Sequence, residues 1–120
     1  MNFTLKLRIL NRDGDAFLGP GPIELLKRID ENGSIRQAAK EMGLSYMKAL
    51  RLVNDIEANV KRRLMARRTG GRGGGGSELT SYARDLISSY ERWLGEVRDY
   101  AEKRFPDRAF KGLRKRSLGL

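Results

Sequence analysis

Apolar residues at Phe3, Leu5, Leu7 and Ile9 alternate with Thr4, Lys6 and Arg8, a period of two that predicts a strand with one face buried. Asn11-Arg12-Asp13-Gly14-Asp15 reads as a turn, and Ala16-Phe17-Leu18 as a short returning strand. The period then lengthens. After Gly19-Pro20-Gly21-Pro22, with Pro22 as the first helical residue because its missing N–H has no role there, Ile23, Leu26 and Ile29 share a helix face with Leu25 beside them. Gly33 supplies the left-handed residue that ends this helix. Ser34-Ile35-Arg36-Gln37 has the capping-box pattern: the Ser side chain should take the Gln37 N–H and the Gln side chain should reach back. A short second helix follows, with Ala38, Ala39 and Met42 inward, and Met42-Gly43-Leu44 breaks it. Ser45 caps a third helix from about Tyr46 to Val60, on which Ala49, Leu52, Val53, Ile56 and Val60 recur at helical spacing. Leu64 to Arg68 reads as a strand, Glu78-Leu79 pairs back, and Thr80 caps a long helix from about Ser81 to Lys103 that Pro106 stops. On that helix Ala83, Ile87, Tyr90, Leu94, Val97 and Ala101 recur in steps of four and three, the heptad spacing of a seam between two helices.

The second and third helices satisfy the requirements of a helix-turn-helix position by position. Ala38 and Ala39 are small enough for two helices to cross closely, Gly43 permits the chain reversal, Leu44 plugs the gap beneath it, and Ala49 and Leu52 seat one helix on the other. Ser45, Tyr46, Met47, Lys48, Arg51 and Asn54 are left facing outward at the start of the third helix, the end that reads bases in such motifs. Strand, three helices, hairpin and long helix in this order predict a mainly α fold with a small β component. They describe a winged helix-turn-helix domain over residues 1–80, a long dimerisation helix over 81–105 and a loose basic tail over 106–120.

Charge sharpens this reading. The 120 residues hold 25 Lys and Arg against 15 Asp and Glu, a net +10, and a basic excess of this size points to a polyanion. Lys61, Arg62, Arg63, Arg67, Arg68 and Arg72 occur between positions 61 and 77 without one acid, where a solvated run would mix signs. No apolar run approaches a membrane span and the first 18 residues lack the pattern of a secretory signal, so a cytoplasmic protein is expected, with no membrane partner. The chain has no Cys and no His, which removes disulfides, thiol and imidazole chemistry and the usual zinc ligands, and no enzyme is expected. Six of the fourteen glycines fall within positions 70–76. Gly71 to Gly76 satisfies G-x-G-x-x-G by composition alone, with no room for the parallel strand that a dinucleotide fold needs. A Walker loop would need a Lys before Ser77, and a single Arg72-Gly73-Gly74 is far from the repeated segments that bind RNA. An inert hairpin tip is the plain alternative, and the flanking arginines weigh against it.

Gly33-Ser34-Ile35 followed by Ala38-Ala39, Gly43-Leu44-Ser45-Tyr46 with Ala49, Thr69-Gly70-Gly71-Arg72-Gly73-Gly74-Gly75 and Leu79-Thr80 together resemble the N-terminal DNA-binding domain of the ModE family. These are molybdate-responsive transcription regulators with a LysR-type winged helix-turn-helix, and the resemblance covers roughly residues 3 to 100. It implies a homodimer joined largely through the last long helix, acting on an inverted-repeat operator near molybdate-transport or molybdenum-cofactor genes. Where the family often has a Trp in the third helix, this chain has Leu50. Full-length members carry C-terminal molybdate-binding domains. This chain stops after a basic tail, so the expectation is a stand-alone form with no cofactor of its own, answering to molybdate or tungstate only through a separate oxyanion-binding partner protein.

The roles expected on double-stranded DNA follow from position and chemistry. Arg51 and Lys48 suit guanine edges, and Ser45 and Tyr46, with Met47 between Tyr46 and Lys48, suit phosphate or base contacts. Ser34 is placed for a phosphate, Arg67, Arg68, Thr69 and Arg72 for the backbone beside the groove, and Arg72 alternatively for the minor groove. Ala83, Ile87, Tyr90, Leu94, Val97 and Ala101 are the dimerisation set. Two other readings stay open: a sequence-neutral nucleic-acid packaging protein, and an interaction module that recruits a partner through the long helix.

Overall fold

The computed structural model describes residues 2–67 and 76–105. Its order is β1 (Ile9–Leu10), β2 (Ala16–Leu18), α1 (Pro20–Asn32), α2 (Ile35–Glu41), α3 (Tyr46–Val60), β3 (Met65–Arg67), β4 (Ser77–Leu79) and α4 (Ser81–Arg104). The chain divides into two compact units, Lys6–Tyr90 and the remainder, Met1–Leu5 with Glu91–Leu120. Among the described residues no helix is long and apolar enough to cross a membrane.

The first strand is much shorter than its alternation predicts. Phe3, Leu5, Leu7 and Ile9 are half-buried and Thr4, Lys6 and Arg8 exposed, so the period of two is present, yet only Ile9–Leu10 pairs with β2. Alternation records which side of an extended chain is covered, whereas a ladder needs a second backbone beside it. The Asn11 side-chain oxygen closes the turn by accepting from the Asp13 and Asp15 N–H groups, both at 2.9 Å, and Gly14 takes a φ of 89°. Helix α1 starts at Pro20, two residues before the expected Pro22, since Pro20 can equally lack an N–H in the first turn. Its Leu25, Leu26 and Ile29 have no exposed surface. Gly33 ends it at φ 68°, donating to the Ile29 carbonyl at 2.7 Å.

The core of the larger unit joins these residues to Leu18, Ala38, Ala39, Ala49, Val53, Ile56, Leu64 and Leu79. Arg28 ties α1 to α2 through Glu41 at 3.0 Å while also holding Glu24 at 2.9 Å on its own helix. The hydrogen bond from Arg28, with further ones from Asn32 and Gln37, holds the Glu41 carboxyl below the ordinary glutamate range. Helix α4 begins in this unit and continues into the other. Its Ala83, Ile87 and Tyr90 are buried, and the Tyr90 hydroxyl donates to the Leu7 carbonyl at 2.7 Å. Burial pushes that phenol upward. In the smaller unit the Phe3 and Phe105 rings lie 5.0 Å apart, and Phe105, which precedes Pro106, falls outside the helix because the proline ring disfavours helical backbone before it.

Candidate nucleic-acid interface

The two caps that frame the helix-turn-helix are built locally. Ser34 sits in extended backbone before α2 and its Oγ accepts the Gln37 N–H at 3.1 Å; Ser45 does the same before α3, accepting from Lys48 at 3.0 Å. Each hydroxyl still has its O–H to donate. The capping box around Ser34 is only half closed, because the Gln37 side chain turns forward to Glu41 at 3.4 Å instead of back to Ser34. One turn along the helix, a carboxylate is the stronger acceptor.

Between the helices, Met42 donates to the Ala38 and Ala39 carbonyls, Gly43 to Lys40 and Leu44 to Ala39, so the freed ends of α2 are satisfied within three residues. This geometry requires Gly43 at φ 68°. Ala38, Ala39 and Ala49 are fully buried where α2 and α3 meet, and Leu44 is half-buried beneath the turn. That leaves Ser45, Tyr46, Met47, Lys48, Arg51 and Asn54 exposed on one end and side of α3, with Met47 at 62% of its full exposure. Among the described residues no carboxylate pairs with Lys48 or Arg51, whereas Arg28 and Arg84 elsewhere are paired with Glu24, Glu41 and Asp30. Even Asp55, one turn beyond Arg51, leaves it free.

The hairpin is rooted beside this end of α3. Helix α3 closes with Lys61 in the left-handed conformation, and the Glu57 carboxylate then accepts the Leu64 N–H at 2.7 Å and the Met65 N–H at 3.4 Å, which launches β3. Strand β3 pairs with β4 through Met65–Leu79, Ala66–Glu78 and Arg67–Ser77. Ser77 donates to the Gly33 carbonyl at 3.3 Å, so β4 starts at the corner between α1 and α2. Gly76 approaches so closely that a Cβ there would stand 3.1 Å from the same oxygen. At the other end of β4, Thr80 Oγ1 accepts the Ala83 N–H at 3.2 Å and donates to the Arg63 carbonyl at 2.7 Å.

The sequence-expected residues fall into three groups. Ser34, Ser45, Tyr46, Met47, Lys48 and Arg51 surround the first turns of α2 and α3, and Arg67 lies in β3 at the hairpin root. Arg68, Thr69 and Arg72 lie outside the described residues, as do the glycine stretch through Gly75 and the tail from 106 to 120. The positive run from position 61 is divided: Lys61, Arg62 and Arg63 sit beyond the C-terminal end of α3, about 21 Å along its axis from Tyr46. Arg62 there stacks on the Tyr82 ring at 4.4 Å. The heptad set is divided too. Ala83, Ile87 and Tyr90 are buried within the chain's own fold, while Leu94, Val97 and Ala101 are half-buried. Sequence reasoning missed Arg36, whose guanidinium lies 4.5 Å over the Tyr46 ring; ten positions of separation give no local signal for such a pair.

Residues 22–84 match the family described as bacterial regulatory helix-turn-helix protein, lysR family. The chain is similar to the transcriptional regulator ModE of Yersinia pestis, 45% identical over 62% of this chain and 28% of that protein. It is similar to the DNA-binding transcriptional dual regulator ModE of Escherichia coli K12, at 44% over 73% of this chain and 32% of that protein. It is also similar to the molybdenum transport protein ModE of Azotobacter vinelandii, at 37% over 68% and 30%. The chain thus spans under a third of the length of these curated relatives.

Proposed function

This chain belongs to the lysR family of bacterial regulatory helix-turn-helix proteins, and from that premise we propose that it binds double-stranded DNA in the cytoplasm as a homodimeric transcription regulator of molybdate-related genes. The observation that carries the reading is the exposed start of α3, where Tyr46, Met47, Lys48 and Arg51 face outward and neither Lys48 nor Arg51 forms an ion pair among the described residues, beside the root of a basic hairpin. Lys48 and Arg51 read guanine edges; the hairpin arginines hold the backbone. The molybdate connection rests on the names of the relatives. Any response to molybdate or tungstate is assigned to an oxyanion sensor outside the described residues, in keeping with a separate partner protein. Dimerisation uses the distal part of α4, with Leu94, Val97 and Ala101 on its seam.

Selection of bound duplexes from random DNA, with and without molybdate or tungstate, tests the proposal. An inverted repeat preferred by well over tenfold is the expected result; a preference below about tenfold for every duplex would replace it with sequence-neutral packaging. Arg51→Ala should cost about 1–3 kcal/mol at one base position and relax specificity there, while Arg72→Ala should weaken all duplexes alike and lower the salt slope. A monomer in sedimentation at micromolar concentration would remove the dimer.

A further inference from the structure

We propose that Arg36 and Tyr46 act together as one seat for a DNA phosphate, so that Tyr46 grips the backbone and does not read a base. The proposal rests on the DNA-binding reading above and deepens it. Arg36 projects from the first turn of α2 and Tyr46 opens α3, and the crossing of the two helices lays the guanidinium 4.5 Å over the phenol ring. Both residues are exposed, and among the described residues no ion pair neutralises Arg36. Arg36 is therefore oriented by an aromatic face that leaves its charge and its N–H edge unanswered.

The surroundings fit an anion. An open cleft of about 290 Å³ is lined by Arg36 and Tyr46 together with Ser34, Ser77 and Gly76, and no acidic residue is among its lining. Ser34 Oγ already accepts the Gln37 N–H, so its O–H is directed elsewhere as a donor. Tyr46 and Ser77 add two more hydroxyls, giving three neutral side-chain donors beside one cation, with no carboxylate among the lining residues to repel a phosphate. Ser77 belongs to the hairpin and its N–H is held by the Gly33 carbonyl, so the seat spans α2, α3 and the hairpin root in one cleft. A ring whose face is covered by a guanidinium is poorly placed to stack on or track a base edge; a phosphate bridging ring hydroxyl and guanidinium uses both groups as they stand.

The test measures affinity of the full chain for its selected duplex and for a random duplex between 50 and 200 mM KCl. Arg36→Ala should lower affinity for both duplexes by about three- to tenfold and reduce the log–log salt slope by about 0.9 per protomer, with base preferences unchanged. Arg36→Lys should retain most of the slope, since it keeps the charge. Tyr46→Leu, which removes the platform, should resemble Arg36→Ala, and the double variant should be little worse than either single one, because the pair acts as a unit. Arg12→Ala, in the distant β1–β2 turn, should change nothing, and equal thermal midpoints of all variants would set aside misfolding. Fully additive losses, an unchanged salt slope in Arg36→Ala, or a base preference lost at one position in Tyr46→Leu would overturn the seat. Failure of the unaltered chain to bind either duplex would instead overturn the DNA-binding reading, and the seat with it.

Discussion

Replacing Thr80 by Val removes one hydroxyl and leaves the shape of the side chain nearly unchanged. That hydroxyl holds two parts of the fold together: it accepts the Ala83 N–H in the first turn of α4 and donates to the Arg63 carbonyl on the chain entering β3. Loss of an N-cap acceptor costs about 1 kcal/mol. The Arg63 carbonyl belongs to an exposed residue and can turn to water, so its lost partner adds only about 0.5 kcal/mol. The backbone bond from the Thr80 N–H to the Leu64 carbonyl, at 2.9 Å, is untouched, and a β-branched residue fits the extended backbone of a cap position. The sum is about 1.5 kcal/mol, which for a domain of this size lowers the thermal midpoint by about 6–9 °C. Thr80→Ser keeps both hydrogen bonds and should lie within about 0.5 kcal/mol of the unaltered chain. Thermal unfolding of both variants checks the total, and hydrogen exchange at the Ala83 amide checks its location. If Thr80→Ser fell as far as Thr80→Val, packing of the methyl group would be the cause and the hydroxyl account would be wrong.

Gly43→Ala should destabilise by about 1 kcal/mol through left-handed backbone alone, since a Cβ there meets nothing within 4 Å. Gly43→Asn, which tolerates that conformation better, should lose less in the same urea titration. Glu41 has a folded-state pKa below its ordinary value, so its contribution to stability is present above the ordinary glutamate range and fades as pH falls through the lowered value. Glu41→Gln should therefore flatten the acid limb of the stability curve, measured by denaturant titration from pH 6 down to pH 3, and leave its shape unaltered above pH 6.

How much of this was legible beforehand depends on how local each determinant is. Helix α3 spans Tyr46–Val60, as its own residues predict, because both the Ser45 cap and the apolar spacing lie within it. The turn before it was legible for the same reason, through Gly43. Partners from a distance decided the rest. Gln37 had two acceptor or donor options one turn apart and chose Glu41, whose charge a capping-box pattern does not weigh. The seam on α4 has a real period, but a period cannot say whether a face meets its own domain or a second chain; Ala83, Ile87 and Tyr90 meet their own. Nothing beside Glu57 in the sequence marks its role, and only the return of the chain at Leu64 and Met65 makes its carboxylate the start of the hairpin.

Gly33 shows why the reading head and the hairpin act as one surface. Its left-handed φ ends α1 and turns the chain so that Ser34 can cap α2. Its carbonyl, which in an uninterrupted helix would have pointed along the axis to a residue four ahead, is instead taken by the Ser77 N–H. Since Ser77 pairs with Arg67, this single acceptor sets where both roots of the glycine stretch begin, next to Ser34 and Tyr46. A side chain at position 76 would crowd that oxygen at 3.1 Å and push the root outward. Glycine at 76 therefore answers to close approach, whereas glycine at 33 and 43 answers to backbone sign. The position of the hairpin root relative to α3 is thus fixed from the scaffold side, by a backbone hydrogen bond and a close glycine approach that use no basic side chain, and Arg36 beside them is left to meet the ligand.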